Sequence, residues 1–170
     1  IEKQMEILDE DDVTIMTCRD EVYPENLKEL EDSPAILYMR GKMKKEDNNA
    51  VAIVGTRKAT EYGKITAQKF ASELSLCGIT IISGLARGID TRAHIGAVEK
   101  GGGRTIAVMG TGIDRVYPAS NRRLAHSIVE NGALLTEYAP FSPPLPYHFP
   151  SRNRIISGLS RAIIAVEAPE

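Results

Sequence analysis

From residue 50 onward, continuous apolar runs alternate with amphipathic stretches. The runs are Ala50–Gly55 (AVAIVG), Ile79–Ser83 (ITIIS), Thr105–Gly110 (TIAVMG), Ala133–Glu137 (ALLTE) and Ala162–Glu167 (AIIAVE). They are unbroken rather than alternating, which is the pattern of strands buried on both faces of a parallel sheet. Helices are predicted between them. In the first, Tyr62, Ile65, Phe70, Leu74 and Cys77 recur at spacings that fit one helical face, with Thr60 as N-cap and Gly78 as the stop. A second is expected to be capped by Asp90 and to end at Gly101-Gly102-Gly103. A third follows Asn121, carries Leu124, Ala125, Ile128 and Val129 on one side, and closes at Gly132. This repeating order predicts right-handed crossovers and an α/β fold: an extended Rossmann-like, doubly wound, mostly parallel sheet.

Residues before 50 read differently. VTIMT (Val13–Thr17) and PAILYMRG (Pro34–Gly41) look like short strands around a helical turn at Pro24–Leu30, and Glu46-Asp47-Asn48-Asn49 is a polar break. The expected organisation is an acidic N-terminal extension, residues 1–49, packing on a core of residues 50–170. Charge divides at the same place, with a net of -7 over residues 1–50 and +5 over residues 51–170, which sum to the overall -2. A basic body turns attention to an anionic partner, nucleic acid among the candidates; a merely solvated surface is the competing reading. A hydrophobic content of 42% over 170 residues excludes wholesale disorder. No apolar run approaches the roughly 20 residues of a membrane helix, and no signal peptide opens the chain, so a cytoplasmic protein with no membrane partner is expected. Cys18 and Cys77 form no paired motif and are expected as reduced core fillers. His94, His126 and His148 lack metal spacing, and no metal site is expected.

Ligands of a doubly wound sheet bind outside the carboxyl ends of its strands. Those ends read Gly55-Thr56-Arg57, Ser83-Gly84-Leu85-Ala86-Arg87-Gly88-Ile89-Asp90 and Gly110-Thr111-Gly112-Ile113-Asp114-Arg115. Each pairs glycines, which let backbone N–H groups approach an anion, with an arginine, and each leads toward a helix N-terminus. The first turn is not G-x-G-x-x-G, and neither a phosphate-binding G-x-x-x-x-G-K-[ST] nor a G-x-S-x-G elbow occurs. No catalytic residue and no cofactor is expected. From Tyr138 to Gly158 the chain holds Pro140, Pro143, Pro144, Pro146 and Pro150, predicting a stiff extended loop that excludes a helix. It carries Phe141, Tyr147 and Phe149 and then Arg152-Asn153-Arg154. Flat rings for bases beside guanidinium groups for phosphates suit single-strand binding. In the competing reading the rings cover the sheet edge and the arginines pair with Glu137 or Glu167.

IVGTR (Ile53–Arg57), ISGLARGIDTRAH (Ile82–His94), GTGIDRVYPASN (Gly110–Asn121), LLTEYAP (Leu134–Pro140) and FPSRNRIISGLS (Phe149–Ser160) together resemble the bacterial DNA processing protein A family, DprA/Smf. The resemblance implies a protein without catalytic activity that binds single-stranded DNA and hands it to the RecA recombinase in natural transformation and homologous recombination. It also implies a homodimer. The matching nucleic-acid-binding positions are Gly55, Arg57, Ser83, Gly84, Arg87, Gly110, Gly112, Arg115, Asn121, Phe149, Arg152, Asn153 and Arg154. The family continues past the last strand with a Ser-Gly, a helix and a further strand. This chain ends Val166-Glu167-Ala168-Pro169-Glu170, so the resemblance implies that the C-terminal part of the fold is cut short.

The alternative is a nucleotide-processing or nucleotide-sensing protein of the lysine-decarboxylase-like group, whose hallmark is P-G-G-x-G-T-x-x-E. Gly101-Gly102-Gly103-Arg104-Thr105 lies before a strand rather than after one, and no glutamate follows at that spacing.

Overall fold

Among the described residues seven strands form one sheet: β1 (Val13–Thr17), β2 (Ile36–Gly41), β3 (Ala50–Val54), β4 (Thr80–Ser83), β5 (Thr105–Val108), β6 (Ala133–Thr136) and β7 (Ala162–Ala165). The computed structural model describes residues 12–99 and 101–168, so the start of the acidic segment and Pro169-Glu170 lie outside the described residues. The order is β1-β2-β6-β5-β4-β3-β7. Strands β3 to β7 are mutually parallel, with Ile82 aligned on Ile106 and Ala107 on Leu134, while β2 joins β6 antiparallel and β1 joins β2 antiparallel. This is the α/β, mostly parallel sheet that the apolar runs predict.

Among the described residues five α-helices accompany it: α1 (Glu25–Lys28), α2 (Glu61–Leu76), α3 (Ile89–Glu99), α4 (Arg122–Asn131) and α5 (His148–Gly158). Successive strand residues face opposite sides, so each unbroken run feeds two cores. Ile82, Ile106 and Leu135 pack with Ile155 and Ile156 of α5, with Leu159 just after it and with Leu27 of α1. Their neighbours Ile81, Ala107 and Leu134 pack on the other face against Ala67 and Ala71 of α2, Ala93 and Ala97 of α3, and Ala125 and Ile128 of α4.

Helix α2 turns the opposite way from its expected apolar face. It buries Gly63, Ala67, Ala71, Ser72 and Ser75, leaving Tyr62 79% and Ile65 65% exposed. Small residues win because α3 lies very close: a Cβ at Gly96 would collide with the Gln68 carbonyl. The ends of α2 are as read, with Thr60 Oγ1 accepting from the Gly63 N–H at 3.0 Å.

The proline-rich segment corrects a second expectation, because α5 begins at His148 and includes Pro150. Pro150 is its third residue, where the N–H has no intrahelical acceptor, so proline is tolerated there. A helix is also the usual way to connect parallel strands β6 and β7. Cys18 and Cys77 are exposed rather than core.

At the amino ends of the strands a clamp joins the N-terminal segment to the core. Arg104 binds Asp47 in a fork, Nε to Oδ1 at 2.5 Å and Nη2 to Oδ2 at 2.6 Å. It also donates to the Asn131 carbonyl, at the last residue of α4, and to the Lys42 carbonyl. Thr80 Oγ1 and the Lys44 N–H complete the shell of the buried Asp47.

Candidate nucleic-acid interface at the carboxyl ends of the strands

Because α2, α3, α4 and α5 each follow a parallel strand, their N-termini gather at the carboxyl ends of the sheet. Four positive dipole ends therefore face one region, a field that favours anions. A cavity of about 360 Å³ opens there, lined by Gly55, Arg57, Phe149, Arg152 and Asn153 among others. The Arg57 guanidinium lies over the Phe149 ring, 5.2 Å from its centroid, and Phe149 meets Tyr117 on a 5.6 Å centroid distance. Arg57 is exposed and pairs with no carboxylate among the described residues. A cation and a flat ring are thus presented together, the combination that a phosphate and a base require.

Arg152 has a different role. It is 3% exposed and donates from Nη1 to the Gly84 carbonyl at 2.7 Å and to the Val108 carbonyl, with Asp90 Oδ2 3.9 Å from Nη2. Its Nε donates to Asn153 Oδ1 at 3.0 Å. A Cβ at Gly84 would overlap this guanidinium, so the glycine admits Arg152 rather than a ligand. Burial pushes the Asp90 carboxyl up and Arg152 opposes it; burial likewise pushes Arg152 down and Asp90 opposes it. Each charge compensates the other, and together they tie the ends of β4 and β5 to α5.

The other predicted positions divide. Arg87 and Arg115 are exposed on a neighbouring groove, outside the Arg57 cavity. Ser83 is fully buried, donating to the Ile53 carbonyl at 2.6 Å. Gly110 lies against the Phe149 ring, and Gly112 against Ala139 and Asp114. Asn121 is buried and donates to the Leu85 carbonyl and to Thr91 Oγ1, both at 2.9 Å. Leu85 has φ 58°, a left-handed conformation rare for a bulky residue, and Asn121 holds that turn in place. Arg154 forks onto Glu137 at 3.0 and 2.7 Å and reaches Asp32 at 3.0 Å, so for this arginine the pairing alternative holds. Tyr147 sits beside it and away from Phe149. Glu167 instead accepts from the Thr60 N–H at 2.9 Å and from its hydroxyl, which holds the Glu167 carboxyl below its usual range.

Two residues escaped the sequence reading. Tyr117 extends the Phe149 ring surface, and Arg122 opens α4 beside it. Both lie in or just after a quoted motif, and only their position against Phe149 and the groove distinguishes them. The Gly101–Gly103 run precedes the amino end of β5, at the opposite end of the sheet from the cavity.

A doubly wound, mostly parallel sheet with an arginine-and-aromatic cavity at its strand ends defines the class: an α/β protein. The sequence model of the DNA recombination-mediator protein A family matches residues 14–170, and the chain belongs to that family. Among curated relatives, the DNA processing protein DprA of Streptococcus pneumoniae is 44% identical over 149 residues, 88% of this chain and 52% of the relative. Protein Smf of Escherichia coli is 40% identical over 169 residues, 99% of this chain and 45% of the relative. The chain thus spans about half the length of these relatives. The X-ray structure of the Streptococcus pneumoniae protein superposes with a TM-score of 0.84 at 39% identity, over 95% of this chain and 57% of that one. DNA processing protein A of Helicobacter pylori, described for its single-stranded DNA binding mode, superposes with a TM-score of 0.81 at 34% identity, over 92% of this chain and 69% of that one. Among the described residues no helix is long and apolar enough to cross a membrane.

Proposed function

We propose that this chain binds single-stranded DNA at the carboxyl ends of its strands, as a DNA-binding and not a catalytic unit. The observation that carries this is Arg57 over the Phe149 ring at the mouth of the cavity, which the first turns of α3 and α5 help to line. Of the residues read from the sequence, Gly55, Arg57, Phe149 and Asn153 line the binding surface. Arg87 and Arg115 lie along its continuation. Gly84, Gly110, Gly112, Ser83, Asn121 and Arg152 shape it from behind, and Arg154 stands apart. In this reading residues 1–49 are an extension and residues 50–170 the core, and the described part of the extension is joined to the core by β2 pairing on β6 and by the Arg104–Asp47 clamp.

The finer role rests on family membership: delivery of the strand to RecA in the cytoplasm, by a homodimer. Its test is the rate of RecA nucleation on single strands with and without the chain; no acceleration overturns it. Strand binding is tested separately by fluorescence anisotropy on single-stranded and duplex DNA of equal length across a salt series. Preference for the single strand, with affinity falling as salt rises, is the expected result. Equal affinity for both forms overturns it in favour of a plain basic patch. Tight mononucleotide binding that displaces no DNA points to a nucleotide-sensing module instead.

A further inference from the structure

The turn that carries Arg57 is fastened at both ends by one residue from another strand. It runs from Gly55, just past β3, to Thr60, the N-cap of α2. At its start the Thr56 N–H donates to the main-chain carbonyl of Glu167 at 2.8 Å. At its end the Thr60 N–H donates to Glu167 Oε2 at 2.9 Å, and the Thr60 hydroxyl donates to Oε1. Glu167 is 107 residues along the chain from Thr60 and lies just past β7, where Ala165 pairs with Val54.

The arrangement is a capping box closed from outside the helix. In the usual box a Glu or Gln at the third helical position reaches back to the N-cap N–H. Here that position is Gly63, which has no side chain to reach with, and Glu167 supplies the carboxylate. Gly63 also makes the room. The three atoms nearest to a Cβ placed on it all belong to the Glu167 carboxyl group, at 2.5–2.8 Å. Glycine weakens a helix, so the helix alone does not account for it in this turn. By charge, a carboxylate beside the Arg57 turn works against an anion; by geometry, it fixes the turn.

We propose that Glu167 is a positioning residue for strand binding, holding the Thr56–Thr60 turn so that the Arg57 guanidinium stays over the Phe149 ring to meet a phosphate. The proposal rests on the reading of the cavity given above. Order is set before the strand arrives, so less freedom is lost on binding.

Fluorescence anisotropy on a single-stranded oligothymidylate separates geometry from charge. Glu167→Gln removes the charge and keeps an acceptor for the Thr60 N–H, and is expected to bind at least as tightly as the parent. Glu167→Ala removes both and is expected to bind about two- to tenfold more weakly, the cost of ordering one long side chain anew. Gly63→Ala keeps every charge but displaces the carboxylate, and is expected to bind as weakly as Glu167→Ala. Its alanine favours the helix and offsets the lost cap, so its thermal melt is expected close to that of the parent. In an Arg57→Ala background, Gly63→Ala is expected to add no further loss, because the turn then carries nothing to position. Equal tightening by Glu167→Gln and Glu167→Ala would make Glu167 an acidic neighbour and overturn the proposal. Parent-like binding by Gly63→Ala, or a loss additive with that of Arg57→Ala, overturns it as well while the cavity reading stands. If Arg57→Ala itself binds like the parent, the cavity reading fails and the positioning role with it.

Discussion

Arginines occupy both ends of the parallel strands, and apart from the buried Arg152 and the ion-paired Arg154 the two ends use them in opposite ways. At the amino ends, Arg104 is saturated by the Asp47 carboxylate and by the carbonyls of Lys42 and Asn131. At the carboxyl ends, Arg57, Arg87, Arg115 and Arg122 face solvent with no carboxylate partner among the described residues. The direction of the helices accounts for much of this. Their C-termini and unsatisfied carbonyls collect at the amino ends of the strands and satisfy a cation internally. Their N-termini collect at the other end, where they add to the positive field and leave it to be answered from outside. One end of the sheet closes the protein on itself and the other leaves its guanidinium groups facing solvent.

The strongest way to break this contrast is Arg104→Ala. Asp47 would remain buried without its partner, and the expected loss of folding stability is about 3–5 kcal/mol. Urea unfolding measures it, and DNA affinity of the folded fraction is expected to stay unchanged. A loss below about 1 kcal/mol would mean that the amino end is not the closed end described.

Phe149→Ala tests the open end. It is expected to cost about 1–3 kcal/mol in single-strand binding while leaving the salt slope almost unaltered, because it removes a stacking surface and no charge. A variant that melts lower but binds normally once folded would reassign the ring to the core.

His94 sharpens the picture of the closed end. It is fully buried in α3, its Nδ1 is 2.8 Å from Thr105 Oγ1, and that hydroxyl donates onward to the Ile81 carbonyl. The ring therefore donates from Nδ1, and its buried Nε2 meets no partner among the described residues. Burial, reinforced by the charge of Arg152, pulls the imidazole from 6.5 down to about 3. The unfolded chain binds this proton below pH 6.5 and the folded one does not, so stability falls as the pH drops from about 6.5 toward 3. The slope from this group is about 1.4 kcal/mol per pH unit. Between pH 7 and pH 5 the parent is expected to lose about 2 kcal/mol more than His94→Leu, compared by denaturant titration at both values.

The smallest effect belongs to Arg57→Ala. Its stability is expected to match the parent, and its plot of log affinity against log salt to flatten by roughly 0.7, one phosphate on a single strand. An unchanged slope would remove Arg57 from the interface.

Much of the fold follows from local pattern. Unbroken runs such as TIAVMG identify double-sided burial, since a strand whose neighbours both face a core can carry no polar alternation. The turns after β3, β4 and β5 locate the end of the sheet that carries the proposed site, and Thr60 and Gly132 mark the ends of their helices. The identity of the family is likewise carried by contiguous motifs. Which face of α2 is buried was decided by the close approach of α3, where alanine and glycine fit and Tyr62 does not. Helix α5 was hidden by Pro150 and by the prolines just before it, which are read as breakers unless the first turn is known to begin at His148. The roles of the arginines were decided by tertiary structure alone. Arg57 and Arg152 both follow glycine-rich or aromatic strand-end motifs, yet Arg152 reaches carbonyls 68 and 44 residues away and is consumed by them. The energy of a charge depends on what surrounds it in space, and a linear pattern of residue types records burial and periodicity but not the distant partner that neutralises a guanidinium.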